Sequence, residues 1–163
     1  MNVRTASGFG SSESFSASVV TQAAHAGGKF AAESTLVTVY SMSYAPHATG
    51  TPELAPVGKL VLSSRLAGPN IFVLRMRDNN MAPTVQRGAY MGVNTADVLP
   101  SGGIFVLKYE YAGMLVRRVF LDCASNQYIL RSDASGHPES RMPEEKSAGR
   151  LVGRVVWVIQ EVA

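Results

Sequence analysis

The stretch Arg77-Asp78-Asn79-Asn80-Met81-Ala82-Pro83-Thr84, RDNNMAPT, decides how this chain is read. It separates two apolar runs, NIFVLRM and AYMGV. Adjacent asparagines followed by a proline predict a tight turn, because Asn tolerates left-handed backbone and bonds its own main chain. Short β-rich runs on either side make it a connection between strands.

Working outward, the same pattern continues. LVTVYSM alternates with period two, and GKLVLSS is another strand signal. YAPHATGTPELAP between them reads as a loop, with three of the eight prolines. GGIFVLKYEY and MLVRRVFL, joined by EYAG, read as a hairpin. NQYILRSD follows, then ASGHPESRMPEEKSAG as a long polar loop, then the apolar strand LVGRVVWVIQEV. Residues 36–163 are therefore expected to form one mainly β domain. Residues 1–35 are small, polar and alanine- and glycine-rich, and read as an arm or linker. A short helix over SVVTQAAHA would end at Gly27-Gly28.

Composition narrows the function classes. With 163 residues, 46% apolar and 17% charged, the chain can bury a real core. The net charge of +3, from 11 Arg and 4 Lys against 12 acids, permits nucleic-acid contact without demanding it. Cys123 is the single cysteine, so neither a disulfide nor a cysteine zinc site is expected. His25, His47 and His137 lie in three separate loops without metal spacing, and no cofactor motif is present. The opening residues lack the apolar centre of a signal peptide, and no run approaches the roughly 18 apolar residues of a membrane helix. A soluble, cytoplasmic protein in a reducing compartment is expected.

Five segments in order carry a resemblance: RDNNMAPT with the following VQRGAYMGV, GGIFVLKYE, MLVRRVFL, YILRSDA and LVGRVVWV. Together they resemble the catalytic domain of the LexA-like self-cleaving repressors. This is the S24 peptidase family, which also includes phage CI-type repressors and UmuD-type mutagenesis proteins. Met81, Pro83 and Thr84 match the first motif, and Val116 and Arg118 flank the second. Ser132-Asp133 match the third, and Gly153 to Trp157 the last.

The resemblance implies a strongly bent β-sheet domain of LexA or signal-peptidase type with an irregular arm. It also implies a serine–lysine dyad, and both members are replaced. The nucleophile falls on Asn80 and the base on Arg117. An amide nitrogen is a poor nucleophile because its lone pair is delocalised. A guanidinium, with a pKa above about 12, has no lone pair to accept a proton at neutral pH. No serine lies between Ser64 and Ser101, so no small slip of alignment supplies one. Lys108, one strand earlier, would have no serine to activate. The implied cleavage loop holds Ala48-Thr49-Gly50 and no Ala-Gly bond; Ala26-Gly27 lies upstream in the arm.

The expected function is an inactive regulatory and oligomerisation domain of a phage or LexA-type repressor system. The expected assembly is a homodimer through the chain end, with Val155, Val156, Trp157 and Val158 at an exposed strand edge. DNA contact is expected only through a domain absent from this chain. Two rivals stand beside this: a UmuD-like accessory protein that binds a polymerase or another protein, and an active self-cleaving peptidase using other groups. A polymerase gene or phage lysogeny genes next door would separate the first rival from the repressor reading. A hydrogen bond from the Arg117 guanidinium to the Asn80 amide is also expected.

Overall fold

The computed structural model describes residues 33–45, 53–109 and 112–162. Nine strands follow in chain order: β1 Ser34–Tyr44, β2 Leu54–Ser63, β3 Ile71–Arg75, β4 Tyr90–Asn94 and β5 Ile104–Tyr109, then β6 Gly113–Asp122, β7 Gln127–Arg131, β8 Ser140–Pro143 and β9 Leu151–Ile159. One 3-10 turn, Glu144–Lys146, precedes β9. The mainly β expectation holds.

All nine strands join one sheet in the order β2-β1-β3-β4-β9-β5-β6-β7-β8. Every neighbouring pair is antiparallel except β1 and β3. The sheet bends until β1 touches β6. A side chain at Gly113 would overlap the Met42 carbonyl oxygen, so only glycine permits the approach, and its positive φ of 78° suits glycine too. Inside the bend lies the main core: Met42, Phe72, Leu74, Met76, Met81, Val85, Met91, Val93, Val106, Met114 and Val116. A second cluster, Phe105, Leu107, Val119, Tyr128, Leu130 and Met142, fills the other face of β5 to β8. Alternation along β5 and β6 supplies both clusters, since successive side chains point to opposite faces.

Two expectations need correcting. The 134–149 segment is not wholly loop: Met142, its one large apolar residue, is buried against Tyr128 and draws Ser140–Pro143 into β8. The final strand is not an outer edge. β9 is central in the sheet: Leu151 to Arg154 pair with β5, and Arg154 to Ile159 with β4. Only the second half, from Val156, has β4 on one side and no named strand on the other.

That second half explains the Gly-Arg-Val-Val-Trp signature. Gly153 backs onto the Asn94 carbonyl, and a side chain there would overlap it. Val156 is the extra residue of a β-bulge between Gly92 and Val93. The bulge turns the Trp157 ring onto Gly92, where any side chain would overlap the indole. The indole N–H donates to the Leu66 carbonyl at 2.9 Å.

Candidate functional site

The RDNNMAPT turn and the residues to Ala89 connect β3 to β4. Two side chains anchor it from below, Met81 and Val85, both fully buried in the main core. Val85 N–H donates to the Met81 carbonyl at 2.8 Å, and Gly88 N–H to Met76 at 2.9 Å. The Ala82–Pro83 bond is cis. At the turn's entrance Arg77 Nη1 donates to Ser43 Oγ at 3.2 Å and to the Ala112 carbonyl at 3.3 Å. It thereby ties the turn to the place where β1 meets the β5–β6 hairpin.

The two asparagines have different employment. Asn79 Oδ1 accepts from Arg87 N–H at 3.0 Å, which braces the turn across its width. Asp78 Oδ1 accepts from Asn80 N–H at 3.0 Å, a local turn bond. The half-buried Asn80 side-chain amide makes no hydrogen bond among the described residues, while its backbone carbonyl accepts from Ala134 N–H at 3.1 Å.

A carboxylate clasp holds the turn from the far side. Arg118 on β6 grips Asp133 with a two-pronged pair, Nε to Oδ1 at 2.8 Å and Nη2 to Oδ2 at 2.6 Å. Its Nη1 reaches the Gly102 carbonyl at 3.4 Å. Thr84 adds a hydrogen bond to the same carboxylate. The Arg118 hydrogen bonds, with help from Thr84 and the guanidinium charge, hold the Asp133 carboxyl below the usual range despite an opposing push from burial. Arg118 is raised in turn, mainly by its hydrogen bonds to Asp133. Paired planar geometry of this kind is among the stronger charged contacts.

Arg117, one residue earlier, is placed otherwise. It stands opposite Phe105 and so leaves β6 on the face of the second cluster. Its Nη1 then turns back to the Val116 carbonyl at 2.7 Å. The expected hydrogen bond from Arg117 to Asn80 is not made: the alternation of β6 gives the turn side to Arg118 instead. Lys108 stands opposite Met114 on the main-core face of β5.

The chain-end residues divide similarly. Val155 and Val158 pack against the main core and Trp157 against a third cluster built from β1 to β3. Val156 is the outward residue, 46% exposed. Ala48, Thr49, Gly50, His25, His47 and residues 1–32 of the arm lie outside the described residues, while Ser34 and Thr35 open β1. No group of His, Cys, Asp and Glu among the described residues is placed to hold a metal ion. Among them, no helix is long and apolar enough to cross a membrane.

The Peptidase S24-like family matches residues 40–156, from the middle of β1 to the bulge of β9. The chain belongs to the S24 peptidase-like family. No curated protein matches it. Within the family's span the ordered motifs are one built object. The Met-x-Pro-Thr turn, the second arginine of MLVRRVFL and the Ser-Asp segment meet in the clasp. The Gly-Arg-Val-Val-Trp strand backs onto β4, which receives the turn. Sequence reading matched Thr84, Arg118 and Asp133 to motifs but did not join them; only their shared family signature hinted at the contact.

Proposed function

We propose that this S24-like domain does not cleave peptide bonds and serves as a regulatory and oligomerisation module of a phage or LexA-type repressor system. What supports the reading is Asn80 where the resemblance puts the nucleophile, in a turn anchored by Met81 and Val85 and clasped through Asp133. A family member needs a hydroxyl there and a lysine that can shed its proton on the neighbouring strand. Asn80 offers an amide and Arg117 a permanent cation. The test is intact mass after incubation at alkaline pH, which favours a lysine-based dyad. A single unchanged mass is expected; a fragment ending near Ala48 or Ala26 would overturn the reading.

For assembly we propose a homodimer through the second half of β9. Among the described residues that segment pairs with β4 on one side and with no named strand on the other, and it carries Val156 and Ile159, which are 46% and 42% exposed. Replacing Val156 with Asp would bury an unpaired charge if a second copy covers it. Sedimentation should show a wild-type dimer and a weakened one for Val156→Asp. A wild-type monomer at all working concentrations would remove the claim.

A further inference from the structure

We infer that a helix of the arm, residues 15–26, docks on the open face of the β1–β2 hairpin, at the end away from the β3–β4 turn. The hairpin has two faces. On one, Val37, Val39 and Leu62 are buried with Val73 in the third cluster. On the other, Leu36 stands opposite Val61 and Thr38 opposite Lys59. Farther along that second face, Tyr40 packs against the main core. Leu36 and Val61 belong to none of the three clusters among the described residues, and Val61 is 68% exposed. A lone exposed valine needs no explanation. A cross-strand apolar pair continuous with the core is a sheet face that lacks its second layer.

The place where the arm joins the sheet names the occupant. The Ser64 N–H and the Ser64 hydroxyl both donate to the Glu33 carbonyl at 3.0 Å. Thr35 Oγ1 stands 3.3 Å from Ser64 Oγ. The arm is therefore delivered at the open end of the hairpin, about 10 Å along the strand from Leu36. The β3–β4 turn touches the same strand at Ser43, through Arg77, about 23 Å beyond Leu36. The open face and the turn are separate places.

The arm's sequence fits the face. At helical spacing Val19, Val20, Ala23 and Ala24 fall on one side, with Phe15 and Ala26 at its border. Ser18, Thr21, Gln22 and His25 fall on the other. Ser14 suits the cap, and Gly27-Gly28 the end. No Lys, Arg, Asp or Glu occurs from Ser14 to Gly28, so docking buries no permanent charge. A helix over residues 15–26 is about 18 Å long, against about 13 Å from Leu36 to Tyr40. Residues 27–33 reach about 23 Å extended, enough to bring it back over the face. Alone, so short a helix is marginal in water, and the hairpin supplies the apolar surface it needs. The tether makes the encounter intramolecular, an advantage that a second copy has to match by concentration.

The test is methyl NMR on the full chain, in a mixture of isotope-labelled and unlabelled copies, with circular dichroism beside it. Contacts are expected from the Val19 and Val20 methyl groups to those of Leu36 and Val61, within one chain. Val61→Asp should abolish these contacts and the helical signal of the arm. Leu99→Asp, at an exposed position elsewhere, should keep both. Val19→Asp changes the arm alone, and should shift the Leu36 and Val61 methyl signals and remove the helical signal. Absence of the contacts in the wild type would overturn the inference. So would contacts found only between copies, which assign the face to a second copy. Survival of the contacts in Val61→Asp, or unmoved Leu36 and Val61 signals in Val19→Asp, would overturn it as well. None of these readings depends on whether the chain can cleave, which intact mass decides separately.

Discussion

Two connections of this sheet are each held by an arginine and a carboxylate, yet they are built to different standards. The Arg77–Ala89 turn has Arg118 and Asp133 brought from two other elements, and two fully buried anchors beneath it. The Thr95–Gly103 connection between β4 and β5 has Arg154, which pairs with Asp97 at 2.8 Å and reaches the Ser101 hydroxyl and the Leu99 carbonyl. It buries no anchor: Val98 and Leu99 are 40% and 78% exposed. The difference teaches that the turn is specified in position, through its core and through a shared carboxylate. The β4–β5 connection is only tethered. A turn held this firmly through its core anchors and its clasp has a structural task of its own.

The comparison breaks most readily at the anchors. Met81→Ala should cost about 2–5 kcal/mol, since it removes a fully buried side chain that the surrounding core cannot wholly close over. Leu99→Ala should stay within about 0.5 kcal/mol. Denaturant unfolding of both variants checks this; similar losses would erase the distinction between the connections.

The next effect is smaller and depends on pH. Arg118→Ala should cost about 1–3 kcal/mol at neutral pH, by leaving the Asp133 carboxylate with a poorer set of partners. Because the folded Asp133 carboxyl lies below its unfolded value, its contribution is present above the unfolded value, near about 4. It is lost as pH falls through the folded value. The wild type should therefore lose stability on that acid limb, and Arg118→Ala should show a flatter one. Equal acid limbs would mean that the clasp contributes little.

Arg154→Ala should come last, at about 0.5–1 kcal/mol. Its partner Asp97 is 37% exposed at the side chain, so solvent screens the pair. Thermal unfolding of Arg118→Ala beside Arg154→Ala ranks the two directly.

Much of this architecture was legible beforehand, for physical reasons that differ by element. β1, β3, β5 and β6 announce themselves because one face or both are apolar at period two. β8 did not, since one methionine among charged and small residues has no period to detect. The central place of β9 was hidden as well: LVGRVVWVIQEV reads the same whether its apolar residues meet a partner or their own sheet. Gly92 beneath Trp157 is a contact across 65 residues that no local pattern carries. At the site, Asn80 was readable from its turn. That Arg118 faces the turn and Arg117 the second cluster was not, because it depends on which face of β6 meets the turn.

The proposal at the centre of this account is that Asn80 and Arg117 leave the turn without a nucleophile and a base. The most direct measurement is the intact mass of Asn80→Ser, with Arg117 kept, after incubation at alkaline pH. The account predicts an uncut chain, because a serine restored to the turn still has no base to take its proton. A fragment ending near Ala48 or Ala26 would contradict it, by revealing a base the account does not contain.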